Sequence, residues 1–207
     1  MTPEVEVSRR ERKKEETNER IVQAALALFR KHGVEATTVE QICEKADVAK
    51  GTFFNYFPRK EAVFRYLSEK WVADAQQKIG ELLTKDGPLW TKVRDVFIEF
   101  ARFHEEDREL SKHMVMEWTR QMHASDDPVC CRWDELGLHV AQHLQANGEL
   151  RRDVPAERAY RLLSDVYHAT IVMWLESPEP PFPLKDEVRK RLTLVMEGLA
   201  LRPKEGK

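Results

Sequence analysis

The hydrophobic positions along the chain recur at intervals of three and four residues, which is the spacing of one face of an α-helix. After Thr17, a possible N-cap, the apolar residues Ile21, Ala25 and Leu28 follow this spacing, and Gly33 is expected to end the helix. We find no segment of any length that alternates apolar and polar residues with the period of a β-strand. The pattern therefore predicts an all-α fold.

Two short helices with a three-residue break between them are predicted next. Thr38, with Gln41 three residues later, has the sequence pattern of a capping box, so a helix is expected over residues 39–46. Another is expected over residues 50–57, because Pro58 disfavours helical backbone in the residue before it. This layout matches a helix-turn-helix, whose second helix enters the major groove of DNA.

The second short helix carries residue types that suit DNA recognition. Lys50 can reach a guanine edge or a phosphate, Gly51 allows close approach of the backbone, and Thr52 can contact a thymine methyl group or a phosphate. A fourth helix is expected from Arg59 onward, which would place its N-terminus and Lys60 at a phosphate. The residues expected to contact DNA are Thr38, Lys50, Gly51, Thr52, Asn55, Tyr56 and Lys60.

Five further helices are predicted after the fourth, which gives about nine in all. Asp86-Gly87-Pro88, Asn147-Gly148 and the proline-rich segment 177–183 provide breaks between helices. Composition agrees with this layout, since 42% of residues are hydrophobic, 34% are charged and only 8 are glycines. The net charge of −2 excludes a bulk polycation, so any contact with DNA must be local.

The sequence gives no indication of a membrane or secretory segment. Its longest apolar run covers residues 24–29, whereas a membrane-spanning helix needs about 18 apolar residues or more. The basic N-terminus is not followed directly by an apolar stretch, which speaks against a secretory signal. We therefore expect a cytoplasmic protein without a membrane partner.

The stretch from Ile21 to Phe64 resembles the DNA-binding domain of the TetR (tetracycline-repressor) family of bacterial regulators. The matching residues, in order and spacing, are Ile21, Ala24, Ala25, Leu28, Phe29, Gly33, Thr37, Thr38, Val39, Ile42, Ala46, Val48, Gly51, Thr52, Phe53, Tyr56, Phe57, Lys60, Glu61 and Phe64. The resemblance implies a homodimeric repressor whose C-terminal domain binds a small molecule and thereby releases DNA. It implies a basic arm at residues 1–16, a DNA-binding domain at 17–64 and a ligand-binding and dimerisation domain at 65–207.

Three positions depart from the family's usual pattern. Ala49 stands where the family usually has serine, so the second short helix loses a side-chain cap that typically contributes ~1 kcal/mol. Asp47 replaces a common glycine, and aspartate tolerates unusual backbone angles. Phe54 replaces a frequent tyrosine, which leaves more of the phosphate contact to Tyr56.

An aromatic and methionine stripe runs through helices four to eight. Core packing explains helical spacing of this kind, but pockets between helices are lined by the same residue types. We expect the stripe to bind an apolar effector, either aromatic or long-chain, with Trp118 as the preferred wall residue. The expected ligand-binding residues are Trp71, Phe97, Phe100, Phe103, Met114, Trp118, Met122, Trp133 and Tyr167.

Helices eight and nine have apolar stripes longer than packing within one chain requires. Two copies of each would form a four-helix interface with two-fold symmetry, so a homodimer is expected. A two-fold dimer would bind a pseudo-palindromic, double-stranded operator.

Several sequence features have other interpretations, which the sequence alone leaves open. The basic run at residues 9–14 is either a solvated tail or an arm that reaches DNA. His139 and His143 have the spacing of a metal-binding pair but no third ligand, and Cys130-Cys131 is a weak candidate for a thiol sensor.

We find no catalytic motif and expect no cofactor, metal or enzymatic activity. The alternative function is an architectural DNA-binding protein that does not respond to a ligand.

Overall fold

The computed structural model describes residues 8–84, 86–122 and 128–200, and leaves the side chains of residues 121 and 122 undescribed. Within these residues the chain forms nine α-helices and no strand, which confirms the predicted all-α fold. The chain divides into two compact units, residues 1–67 and 68–207. The helices are α1 (Arg9–His32), α2 (Val39–Ala46), α3 (Lys50–Tyr56), α4 (Ala62–Leu83), α5 (Leu89–Glu106), α6 (Arg108–Met122), α7 (Pro128–Ala146), α8 (Ala156–Glu176) and α9 (Leu184–Leu199).

The first helix begins at Arg9 and not after Thr17, so the sequence-based start was wrong. Ser8 and Glu11 form a capping box, in which the Ser8 hydroxyl accepts from the Glu11 N–H at 3.2 Å and the Glu11 carboxylate accepts from the Ser8 N–H at 3.0 Å. The hydroxyl of Thr17 instead donates to the Lys13 carbonyl inside the helix. The whole basic run at residues 9–14 therefore forms the first turns of α1.

The first unit is a three-helix core closed by the start of α4. The α2 bounds and the Thr38–Gln41 capping box confirm the prediction, with both reciprocal hydrogen bonds present. The turn to α3 passes through Asp47 in the left-handed conformation, with φ of 51°. The largest fully buried side chains in this unit are Ile21, Ile42, Phe53, Val63 and Phe64.

The fourth helix begins at Ala62, later than the predicted start at Arg59. Residues 59–61 form a turn, in which the N–H groups of Ala62, Val63 and Phe64 donate to carbonyls three residues earlier. The α4 helix then continues without a break from the first unit into the second.

The second unit is built from the rest of α4 and from α5 to α9. Helix α8 packs against α7 and α9, and α5 packs against α9. The Glu149 carboxylate accepts from the N–H groups of Leu89 and Trp90 at 2.8 and 2.9 Å, which satisfies two free donors at the start of α5. The fully buried side chains include Val129, Leu144, Leu150, Ile171, Leu184 and Leu192.

Helices α7 and α8 approach closely at Gly137. A Cβ atom at this position would lie 1.9 Å from the ring of Tyr160. The Tyr160 hydroxyl donates to Asp134 at 2.8 Å, which fixes the ring across the glycine.

Over the described residues, none of the helices combines the length and the apolar character needed to span a bilayer.

Candidate functional site

Helix α3 presents a polar face on the surface of the first unit. Lys50, Gly51 and Asn55 are exposed, and Thr52 and Tyr56 are half-buried. Ala49 makes no side-chain capping hydrogen bond, as expected for an alanine at a position where the family usually has serine. Two aromatic side chains of the α3 segment, Phe53 and Phe57, are buried and anchor it to the core.

Phe54 adds an aromatic ring to the exposed face of α3. Its side chain is 46% exposed, and its ring lies edge-on to buried Phe53 at 5.4 Å. Sequence reasoning counted Phe54 only as the loss of a tyrosine. An exposed phenylalanine on a helix of this kind is able to make apolar contact with a thymine methyl group.

Lys50 is already paired with an acidic residue of α2. Its ammonium donates a hydrogen bond to the Glu40 carboxylate, and the two charges form a salt bridge. This hydrogen bond raises the pKa of Lys50 and lowers the pKa of Glu40. Sequence reasoning missed Glu40 because the pairing joins residues in two helices.

Lys60 has a different environment from the predicted phosphate contact. Its ammonium donates to the carbonyl oxygens of Val34, Thr37 and Glu35, at 2.6, 2.8 and 3.1 Å. A lysine ammonium has three N–H donors, so these three acceptors use all of them. The arrangement ties the turn before α4 to the loop after α1, and a DNA phosphate would have to displace one of these carbonyls, so the phosphate contact stays a prediction.

The second unit contains an aromatic cavity of about 230 Å³. Trp71 of α4, Phe100 of α5 and Trp118 of α6 form part of its wall, and the rings of Trp71 and Phe100 stack at 5.8 Å. Six of the nine predicted ligand-binding residues line it, namely Trp71, Phe100, Met114, Trp118, Trp133 and Tyr167.

Two of the predicted ligand-binding residues, Phe97 and Phe103, are placed outside the cavity wall. Phe103 lies behind Trp71, with ring centroids 4.3 Å apart and the rings edge-to-face, and Phe97 packs on Tyr167 at 5.0 Å. Neither contributes to the cavity wall. The side chain of Met122 lies outside the described part of the chain. Helical spacing could not separate the residues that line the cavity from those that support its walls.

The cavity also has polar wall residues that the apolar pattern could not indicate. Arg161 forms ion pairs with Glu157 at 3.3 Å and with Asp134 at 3.8 Å, so its charge is partly balanced. The Nε2 atom of His168 lies 3.4 Å from the Thr119 hydroxyl. The polar residues in the wall are Ser68, His104, Asp134, Arg161, Ser164, Asp165 and His168.

Two polar atoms of the cavity residues are buried without a hydrogen-bond partner among the described residues. They are Nδ1 of His104 and the hydroxyl oxygen of Tyr167. Burial, assisted by the nearby His168, lowers the pKa of His104 to about 4. Burial also raises the pKa of Tyr167, so both side chains are neutral at physiological pH.

The metal and thiol candidates acquire no further support. The rings of His139 and His143 are 4.3 Å apart, but the described residues contain no group of three metal-binding side chains. Cys130 lines the cavity and Cys131 is exposed, so the two thiols have different environments.

Sequence comparison with known families assigns both units. Residues 21–67 match the profile described as bacterial regulatory proteins of the tetR family. Residues 69–198 match the profile described as the C-terminal domain of TetR/AcrR family transcriptional repressors.

Several individual proteins are similar over most of the chain. YhgD of Bacillus subtilis, an uncharacterised HTH-type transcriptional regulator, is 29% identical over 87% of this chain and 95% of its own length. The repressor KstR of Rhodococcus jostii is 28% identical over 89% of this chain and 82% of its own. The chain spans 64% of YuxN and 41% of YvdT, two other uncharacterised regulators of B. subtilis.

A solved structure gives the same assignment. Thermus thermophilus FadR, a TetR family transcriptional repressor crystallised with lauroyl-CoA, aligns with a TM-score of 0.70 and 30% identity. The alignment covers 92% of this chain and 98% of FadR. With both units matched in order along the sequence, the chain belongs to the TetR family of bacterial transcriptional regulators.

Proposed function

We propose that this protein represses transcription by binding a pseudo-palindromic operator as a homodimer, and that a small apolar effector releases it. The cavity of about 230 Å³ in the second unit carries this proposal, because it combines a continuous aromatic wall with buried polar atoms. Small-molecule sites in proteins have this composition. The chain is proposed to act by binding alone, without a catalytic step.

The DNA-binding part of the proposal rests on α3. Its exposed Lys50, Gly51 and Asn55 lie on a short helix that is anchored by buried aromatic rings, as a recognition helix in the major groove requires. Thr52 and Tyr56 are half-buried, so each is able to offer a hydroxyl at the edge of this face. Thr38 has its hydroxyl in the α2 cap and is proposed to contact DNA through the start of that helix.

Exposed apolar side chains on α8 and α9 support dimerisation through these helices. Leu162 and Met173 of α8 are 44% and 39% exposed, and Leu194 of α9 is 67% exposed. Large apolar side chains exposed on the surface are unfavourable in water, and a second copy of the chain that covers them would remove this cost. We propose that α8 and α9 of two protomers form a four-helix interface.

Helix α4 offers a physical link between effector and DNA. Its first turns place Val63 and Phe64 in the core of the DNA-binding unit, and its later residues Ser68 and Trp71 belong to the cavity wall. An effector lowers DNA affinity only if it binds the released conformation more tightly. A hundredfold release needs about 2.7 kcal/mol of coupling free energy.

Two effector classes have support. The aromatic wall favours a compact aromatic compound, whereas the lauroyl-CoA bound to T. thermophilus FadR favours a long-chain acyl compound. Operator DNA found by footprinting the region upstream of the protein's own gene allows both to be tested. We expect naphthalene or lauroyl-CoA to raise the operator Kd about a hundredfold in fluorescence anisotropy, with a scrambled duplex as the control. An operator Kd that stays constant while calorimetry shows the compound bound would favour the architectural alternative.

A further inference from the structure

The two unpartnered polar atoms in the cavity identify the chemistry of the effector, an inference that rests on the proposed function. His104 is 4% exposed, and Nδ1 of its ring has no partner among the described residues. Tyr167 is half-buried as a residue, but its hydroxyl oxygen is buried and also has no partner among them. A buried polar group without a hydrogen bond costs free energy, so such groups in a cavity indicate a ligand or water that satisfies them.

Other polar groups of the cavity region are already satisfied. The Tyr160 hydroxyl donates to Asp134, and Nε2 of His168 lies near the Thr119 hydroxyl. Ser111 is a useful contrast, because its hydroxyl is also buried and unpartnered but Ser111 does not line the cavity. The unsatisfied hydrogen bonding of the wall is therefore concentrated at His104 of α5 and Tyr167 of α8.

Neutral groups at both positions disfavour an anionic ligand at this point. The imidazole of His104 is uncharged at neutral pH, and the Tyr167 hydroxyl keeps its proton. The wall also contains the carboxylates of Asp134 and Asp165, and its cation, Arg161, is engaged by Asp134 and Glu157. A carboxylate placed here would lose its hydration without gaining a counter-charge.

A hydroxyl group matches this pair better than a carbonyl group. Neutral imidazole has one donor and one acceptor nitrogen, so Nδ1 of His104 accepts in the tautomer with the proton on Nε2 and donates in the other tautomer. A ligand hydroxyl is able to donate to Nδ1 or accept from it, and can exchange a second hydrogen bond with Tyr167. A carbonyl oxygen satisfies the pair only when both groups are donors.

The size of the cavity sets the rest of the ligand. A volume of about 230 Å³ is smaller than the ~300–1,000 Å³ of typical drug-sized sites, which points to one or two rings. Trp71, Phe100 and Trp118 supply aromatic surface against which such rings can pack. We propose that the cavity recognises an uncharged phenol-type compound, whose ring packs among these side chains and whose hydroxyl binds His104 and Tyr167.

A matched series of naphthalene compounds tests this proposal on the full chain by isothermal titration calorimetry at pH 7. 2-Naphthol has the hydroxyl, naphthalene lacks it, 2-methoxynaphthalene is an acceptor only, and 2-naphthoate is an anion. We expect 2-naphthol to bind about ten- to a hundredfold more tightly than naphthalene or 2-methoxynaphthalene, as one or two neutral hydrogen bonds provide. We expect 2-naphthoate to be the weakest of the four.

Variants then assign the preference to the two residues. Tyr167→Phe removes only the hydroxyl, and His104→Phe removes the ring nitrogens. In each, the ratio of the naphthalene Kd to the naphthol Kd is expected to fall toward one. Ser111→Ala removes an unpartnered hydroxyl outside the cavity and should leave the ratio unchanged.

The outcomes separate this proposal from the proposed function. Equal binding of naphthalene and 2-naphthol to the unmodified protein would overturn the phenol proposal and leave an apolar effector site intact. A naphthol preference that survives in both Tyr167→Phe and His104→Phe would also overturn it. If none of the four compounds binds, both the phenol proposal and an aromatic effector for this cavity are wrong.

Discussion

The ammonium of Lys50 is ion-paired with the carboxylate of Glu40, which joins the first residue of α3 to the second residue of α2. Lys50, the best-placed cation of the recognition helix α3, is therefore neutralised by Glu40 in the free protein. A phosphate or a guanine edge has to compete with Glu40 for this ammonium. Glu40 should thus suppress indiscriminate binding of Lys50 to the DNA backbone.

Glu40→Gln is expected to strengthen binding to non-operator DNA, because Lys50 becomes available to phosphates. The slope of log K against log salt concentration should become steeper by about one unit for the variant. Fluorescence anisotropy with random-sequence duplex over a salt series measures both quantities. Glu44→Gln removes the same charge from an exposed position of α2 and should have a much smaller effect. Equal slopes for Glu40→Gln and the unmodified protein would contradict this role of Glu40.

Lys60→Met is expected to destabilise the DNA-binding unit without changing the salt slope. The change leaves the carbonyls of Val34, Glu35 and Thr37 without their shared donor, at a cost of about 1–3 kcal/mol in free energy of unfolding. Urea unfolding measures this cost, and Lys45→Met at an exposed position of α2 is the control. A salt slope reduced by about one unit would instead support the phosphate contact predicted from the sequence.

His104 is expected to make the protein less stable in acid. Its pKa in the folded chain is about 4, below the ordinary 6.5, so between these pH values the unfolded chain binds a proton that the folded chain does not. Free energy of unfolding should therefore fall by about 3 kcal/mol between pH 7 and pH 4 through this group alone. His168, whose pKa is also lowered by burial, adds to the same trend, and the nearby Asp165 opposes it.

Two variants isolate the contribution of His104. Chemical unfolding at pH 7, 5.5 and 4 should show a flatter pH dependence for His104→Phe than for the unmodified protein. His139→Phe changes an exposed histidine and should keep the original dependence. Parallel pH profiles for all three proteins would contradict the burial of a neutral His104.

Trp118→Ala is expected to weaken the response to effector while DNA binding by the free protein is retained. The Trp118 ring lines the cavity and lies edge-on to Trp133 at 6.4 Å, so its removal opens the wall. The effector concentration that releases half of the operator complex should rise about tenfold or more. Met116→Ala, at an exposed residue of the same helix, is the control. Loss of operator binding in Trp118→Ala would show that Trp118 is needed only for packing.

Leu194→Glu is expected to convert the proposed homodimer into a monomer. Burying a leucine contributes about 1.5–3 kcal/mol, and two-fold symmetry places the substitution in the interface twice. Sedimentation velocity should show the shift. Met116→Glu introduces the same charge at another exposed apolar residue, on α6, and should remain dimeric. A dimeric Leu194→Glu protein would contradict an interface that includes this face of α9.

The helix-turn-helix could be predicted from sequence because its signals are local. The Thr38–Gln41 box and Pro58 lie within a few residues of the ends that they mark, and α2 has the predicted bounds. The start of α1 was missed because the Ser8–Glu11 box opens a polar stretch with no apolar periodicity. The start of α4 was misplaced because Lys60 is held by carbonyls more than 20 residues away, which no local pattern reveals.

The cavity could be predicted only in part, for a related reason. Helical spacing indicates which side chains point inward, but whether a ring borders empty space depends on the neighbouring helices. Trp71 and Phe103 both face inward, yet one lines the cavity and the other supports it. His104 carries a polar atom that only the packed structure shows to be unsatisfied.

The contact between Gly137 and Tyr160 limits how the cavity can evolve. Any side chain at 137 would collide with the Tyr160 ring, so position 137 is able to gain volume only if position 160 loses it. Among sequences with this packing, the two positions should therefore covary. Because the Tyr160 hydroxyl donates to Asp134 of the cavity wall, a paired exchange would leave that carboxylate with its Arg161 ion pair alone and should alter the preferred effector. A coupled pair of substitutions at positions 137 and 160, both outside the cavity wall, thus provides an evolutionary route to a new ligand specificity.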